Sequence, residues 1–193
     1  MKCAVGYRRV MARAYEMRVR ADAAAATRDA ILDATIALAL ELERVDFPLD
    51  QVAARAGRSV KTILRHFGSR DALIEQAVQR GSARVAAERA PSTTGDRGEA
   101  VRLLVEHYET WGRFVMRLLA MGDDGDAPAV TSPGRLLHRD WVQQTFGTTD
   151  EAVVDQLVVA TDVYAWKLLR VDRGLPAADV TARILSMTEA IAP

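Results

Sequence analysis

Two apolar stripes of helical period, held apart by a single glycine, constrain this chain more than any other feature. Leu49, Val52, Ala53 and Ala56 fall at i, i+3, i+4 and i+7, one face of a helix. Val60, Ile63, Leu64 and Phe67 repeat that spacing. Between them stands Ala56-Gly57-Arg58-Ser59. Gly57 can take the left-handed conformation that ends a helix, and Ser59 is a good N-cap for the next. Small Ala53 allows close approach. The stretch predicts two short helices joined by a tight turn, with Lys61, Thr62, Arg65 and His66 on the side the second stripe leaves free. A helix with that division can back onto a core and enter the DNA major groove.

The charge pattern favours nucleic acid. Gln51 to Arg70 holds five basic residues (Arg55, Arg58, Lys61, Arg65, Arg70) and no acidic one. Residues 1–80 carry 14 Lys+Arg against 10 Asp+Glu, and the remainder 12 against 16. The net charge of zero therefore hides a basic head and an acidic body. A basic patch neutralises phosphates and releases counterions, which gives sequence-independent affinity. A charged helix face is by default merely solvated; here turn, stripe and charge coincide.

The chain of 193 residues fits one large domain or two small ones. Abundant Ala, Leu, Arg, Glu and Asp with few aromatics is helix-forming composition. The lone cysteine, Cys3, excludes an internal disulfide and a cysteine zinc site, and suits a reducing, cytoplasmic setting. No stretch approaches the apolar length of a membrane span. Residues 1–26 form a basic arm that need not be ordered: its first twenty residues carry six cations against Glu16 and lack the apolar core of a secretory signal. Either this arm touches DNA, or Met11 or Met17 is the true start.

Periodicity predicts an all-α chain. A first helix spans about Thr27 to Leu42, capped by Thr27. Pro48 opens the second, and residues 27–70 form a three-helix head. A connector helix covers 71–90, followed by a linker at 90–98. Residues 91–193 form a C-terminal helical domain. Its helices are expected at 99–120, split or kinked at Gly112, at 136–146 after a loop at 121–134, and at 151–170 after a capping box at Thr148–Glu151. A last helix opens at Pro176. The final two are apolar on more than one side, through Val153, Ala160 and Val163, which predicts a homodimer interface there.

The head resembles the TetR family of transcriptional regulators. The matching residues are Ile31-Leu32-Asp33-Ala34, Val52-Ala53-Ala54-Arg55-Ala56-Gly57, and Thr62-Ile63-Leu64-Arg65-His66-Phe67-Gly68-Ser69-Arg70-Asp71-Ala72-Leu73. The resemblance implies an N-terminal helix-turn-helix head and a C-terminal effector-binding, dimerising bundle. It implies a homodimer with each helix 59–66 in the major groove of a palindromic operator. By the family pattern His66 and Arg70 touch phosphates. Arg58, Lys61 and Thr62, with Ser59 beside them, are the candidates for base contact, and Arg65 can serve either role. The family usually has Tyr where this chain has Leu64, and Thr near Pro48 or Leu49, so two phosphate-anchoring hydroxyls are missing. Repression is the family default, relieved by a small-molecule effector.

The effector pocket is expected among His107, Tyr108, Trp111, Phe114, His138, Trp141, Tyr164 and Trp166, although aromatics at helical spacing equally mark a core. A DNA-binding dimer without small-molecule control is an alternative. An all-α enzyme is the rival class, but His66, His107 and His138 fit no ligand spacing, and the chain has no HExxH, GxSxG or Gly-rich phosphate loop. No metal and no cofactor is expected.

Overall fold

The computed structural model describes residues 3–90, 95–122 and 127–193, with side chains from Tyr15 onward. Every regular element among them is helical: α1 (Cys3–Leu42), α2 (Leu49–Ala56), α3 (Val60–Phe67), α4 (Arg70–Glu88), α5 (Arg97–Ala120), α6 (Ala127–Phe146), α7 (Glu151–Thr161), α8 (Val163–Trp166), a π-helical segment at Lys167–Asp172, and α9 (Ala177–Ile191). The expected linker and the loop after α5 lie partly outside the described residues.

The head forms as its stripes dictate. Gly57 sits at φ 61°, ψ 39° and closes α2 through its N–H. Ser59 Oγ accepts the Thr62 N–H at 3.1 Å, capping α3. Ile31, Phe47, Val52, Ile63 and Leu73 share one core. Ile63 is fully buried, worth about 1.5–3 kcal/mol. Leu64 departs from its expected stripe: it is 41% exposed, on the outer side of α3. The core of so short a helix needs only Ile63 and Phe67, one turn apart.

α1 is far longer than the period predicts. Thr27 is not its cap; its hydroxyl donates to the Ala23 carbonyl at 2.9 Å. The run Ala23–Ala26 carries the helix backward by propensity, and residues 15–26 are exposed.

The body is built round α5, which packs against α6, α8 and α9. Gly112 does not break α5. α6 starts nine residues before its expected first residue, with Pro133 inside it. The Asp, Gly and Pro content suggests a loop, but Ala127 and Thr131 are buried, and packing overrides propensity. The cap of α7 is Asp150, whose carboxylate accepts from the Ala152 and Val153 N–H groups at 3.0 and 3.2 Å, rather than Thr148. The single helix expected over 151–170 is interrupted at Asp162, which is extended (φ −68°, ψ 156°) and caps α8 by accepting the Tyr164 N–H at 2.8 Å. The apolar width of this region is partly internal, since Ala160 and Val163 are buried.

Candidate functional site

The first candidate surface is α3. Arg58, Lys61 and Arg65 are exposed, while Thr62 and His66 are half-buried. Among the described residues no carboxylate pairs with those three cations, whereas neighbouring Arg55 is bound by Glu41. The hydroxyls of Ser59 and Thr62 share a hydrogen bond of 3.0 Å, so Ser59 is spent on the cap and its partner. Two internal arginines hold the helix. Arg28 Nη1 donates to the His66 carbonyl at 3.1 Å, and its guanidinium lies 4.6 Å from the Phe67 ring centroid. A cation suits a helix C-terminus. Arg70 donates to the carbonyls of Val45 at 2.7 Å and Phe47 at 3.4 Å. It ties the α1–α2 loop to the start of α4, a role the sequence alone does not suggest for a residue in a basic run.

The second candidate is a cavity of about 440 Å³ between head and body, within the usual size range of small-molecule sites. Its walls come from α1 (Thr35, Ile36, Ala39), the α1–α2 loop (Val45, Phe47), α4 (Ile74 to Arg89), α5 (His107 to Leu119) and α6 (Val130 to Arg139), with Val158, Asp162 and Val163. Of the eight residues expected there, His107, Tyr108, Trp111, Phe114 and His138 line it. Trp141, Tyr164 and Trp166 do not. Tyr164 is 49% exposed. Trp166 is packed over Gly112, and its indole N–H donates to Glu109 at 2.9 Å. Trp141 stands behind the wall, stacked on His138 with centroids 5.7 Å apart.

Arg89, unforeseen from the sequence, organises the polar end of this cavity. It is 4% exposed, although a terminal arginine of a helix is ordinarily solvated. Its guanidinium lies 4.6 Å from the Trp141 ring centroid. Nη2 donates to His138 Nδ1 at 2.9 Å. Because arginine only donates, His138 must accept at Nδ1 and carry its proton on Nε2. That N–H faces Thr161 Oγ1 at 3.1 Å, and Thr161 donates to the Leu157 carbonyl at 2.7 Å. The chain ends where α7 breaks. Tyr108 donates to the Thr161 carbonyl at 2.9 Å, fixing the same point.

Burial sets the protonation. His107 is lowered to about 3, first by burial and then by the charges of Arg89 and His138. His138 is likewise lowered to about 3 by burial and by Arg89. Both are neutral near pH 7. Burial also lowers Arg89, but a guanidinium keeps its proton in proteins. Tyr108 and Asp162 are pushed up by burial. Among the described residues no group of His, Cys, Asp and Glu is arranged to hold a metal, and no helix is long and apolar enough to cross a membrane.

No family model and no curated protein matches the chain by sequence. Its fold is similar to that of a TetR-family transcriptional regulator from Streptomyces coelicolor, at a TM-score of 0.66 and 16% identity over 86% of this chain and 79% of that one. A protein from Mesorhizobium loti assigned to the same family aligns at a TM-score of 0.58 and 14% identity, over 87% of this chain and 96% of that one. The chain has the fold of TetR-family regulators: an N-terminal helix-turn-helix head on a C-terminal helical body.

Proposed function

We propose that this chain is a DNA-binding transcriptional regulator under small-molecule control. The supporting observation is the outer face of α3, where Arg58, Lys61 and Arg65 stand exposed without carboxylate partners among the described residues while Ile63 and Phe67 root the helix in the core. A rigid helix with unpaired cations outward gains from phosphates without first breaking ion pairs. Arg58, Lys61 and Thr62 read base edges, Arg65 reads or anchors, and His66 anchors to phosphate. Arg70 contributes by holding the head loop, with its phosphate contact secondary to that clamp. The chain acts as a homodimer on a palindromic operator, most simply as a repressor that blocks polymerase and leaves when the cavity fills. α7, α9 and the segment between them carry Val159 (71% exposed), Leu168 (58%) and Met187 (38%), apolar side chains that a partner copy would cover. Sizing that finds only monomer at micromolar concentration refutes the dimer.

A mobility shift tests the DNA assignment, comparing DNA upstream of the chain's own gene with scrambled DNA at near-physiological salt. Specific binding is expected, followed by random-sequence selection to define the operator. Lys61→Ala then relaxes preference at one or two positions, costing about 1–3 kcal/mol there. His66→Ala weakens all sequences alike and flattens the salt dependence. Absence of preference in both experiments, or identical behaviour of the two variants, overturns this division of labour.

A further inference from the structure

We infer that the cavity takes a monocarboxylate with an apolar body, and that Arg89 is its counter-charge. This deepens the small-molecule control proposed above by naming the ligand class, and it rests on that assignment only for the ligand's regulatory effect.

A guanidinium buried without an anion is costly, and Arg89 is such a group. It is 4% exposed, and among the described residues its Nε has no hydrogen-bond partner, no carboxylate pairs with it, and its one side-chain acceptor is the neutral His138. Asp162 is the one carboxylate on the cavity wall and forms no ion pair with it among the described residues. Asp162 is instead occupied as the α8 cap. The other basic wall residues are held elsewhere: Arg139 by Glu151 and Asp155, and Arg135 against the Thr131 hydroxyl at 3.4 Å. Two more polar atoms of the wall, His107 Nδ1 and Trp111 Nε1, are buried and unpartnered, their rings stacked with centroids 6.0 Å apart. A carboxylate accepts several donors at once, and bonds between ionised partners are the strong ones. Most of the remaining wall, including Ile36, Phe47, Ile74, Phe114 and Leu118, is hydrocarbon, and the hydroxyls of Thr35, Tyr108 and Thr131 are spent on backbone carbonyls, which leaves Ser82 as its other hydroxyl.

The charge count selects one negative charge. Both histidines are neutral near pH 7, Arg139 is ion-paired and Arg135 is exposed to solvent, so among the described residues Arg89 is the one buried cation of the wall without an anion, and a dianion such as a phosphate monoester would bring an unmatched charge into the dry end of the site. An apolar tail fills the remainder.

Titration calorimetry of the full chain, without DNA, tests this. The probes are straight-chain acids from hexanoate to dodecanoate and 4-phenylbutyrate, each against its primary amide. At least one acid is expected to bind with saturation, about 10- to 100-fold tighter than its amide. Arg89→Met should bring acid and amide together, and Arg89→Lys should keep part of the difference. Should Arg89→Met not fold, the acid-to-amide ratio of the unaltered chain and the Lys variant decide alone. Equal affinity for acid and amide, a preference that survives Arg89→Met, or a folded chain that binds no acid of the panel each overturns the assignment. Because binding is read without DNA, failure on operator DNA leaves this result intact. An acid that binds yet never releases the operator retains the ligand class and removes the control.

Discussion

Gly112→Ala should destabilise the protein, reversing the usual sign of a Gly→Ala change in a helix. In an exposed helix interior the exchange is worth about 0.5–1 kcal/mol in favour of alanine. At Gly112 an added Cβ would stand 2.6 Å from Cζ3, 2.8 Å from Cη2 and 3.0 Å from Cε3 of Trp166. That ring cannot step aside cheaply, since it is 4% exposed and its N–H is committed to Glu109. Overpacking of this kind costs about 1–3 kcal/mol, and loosening the indole hydrogen bond adds roughly 1 kcal/mol. Set against the propensity gain, the net loss is about 1–3.5 kcal/mol. Gly81→Ala is the matched control: it too lies in a helix interior, at a negative φ, with nothing within 4 Å of the added Cβ. It should stabilise by up to about 1 kcal/mol. Urea unfolding of the two variants reads the difference directly. Two shifts of the same sign would refute the account of Gly112 as a docking notch for Trp166. Because Trp166 anchors the segment bearing Leu168, Gly112→Ala should also weaken self-association, visible as a concentration-dependent shift on sizing.

Leu64 stands exposed between Lys61 and Arg65. Leu64→Tyr should therefore tighten binding to operator and scrambled DNA alike by adding a phosphate donor, by about 0.5–1.5 kcal/mol; a gain confined to the operator would place the residue at a base instead. Acid should unfold the body early. His107 and His138 lie at about 3 in the fold against an ordinary value of 6.5. Below 6.5 the unfolded chain binds protons that the folded chain refuses, so stability is full above that pH and falls as the pH drops toward 3. Each histidine contributes at most about 1.4 kcal/mol per pH unit. Urea midpoints at pH 7.5 and 5 should show the slope, and His107→Asn should reduce it. An unchanged midpoint would mean that the histidines are charged or reached by solvent in the fold.

The head is legible in the sequence because its signals are local. Gly57, Ser59 and the stripe residues act within one or two turns; the pattern fails at Leu64, where a two-residue anchor already fills the core, and at Thr27, where the run Ala23–Ala26 carries α1 past the expected cap. The body is less legible because its decisive contacts are distant. Pro133 reads as a helix breaker until Ala127 and Thr131 are seen buried. Residues 151–170 read as one helix until Trp166 must reach Gly112 and Asp162 must cap a new start. Of the five expected residues that line the cavity, four (His107, Tyr108, Trp111 and Phe114) do so because an amphipathic α5 presents them on one face, and the fifth, His138, comes from α6. Arg89 has no local signature: its meaning comes from His138, 49 residues away, and from burial that no helical period encodes.

α4 is the element that can join the cavity to α3, the proposed DNA-reading helix, and one surface cluster tests that role. At its N-terminal end Arg70 grips the carbonyls of the α1–α2 loop, and at its C-terminal end Arg89 enters the cavity. Midway, Arg80 bridges α4 to α1: Nε and Nη2 reach the two Asp33 oxygens at 2.8 and 3.1 Å, and Nη1 reaches Asp29 at 2.9 Å. These bonds hold the guanidinium of Arg80 above its usual pKa, chiefly through Asp33. A ligand that shifts α4 would thereby carry α1 and the head with it, whereas without the bridge α4 could slide on α1. Arg80→Ala should cost little stability, below about 1.5 kcal/mol, because all three side chains are more than a third exposed. It should leave affinity for the cavity ligand unchanged, since Arg80 is not on the wall. What it should reduce is the coupling: a saturating acid would release less operator DNA from Arg80→Ala than from the unaltered chain. Coupling energies of this kind are typically about 1–3 kcal/mol, so a fall of even half is measurable as a severalfold change in the acid-induced shift of DNA affinity. Undiminished release would mean that the head is moved directly through α1 at Thr35, Ile36 and Ala39 or through the α1–α2 loop at Val45 and Phe47, the other head surfaces that line the cavity, and not through α4 as a lever.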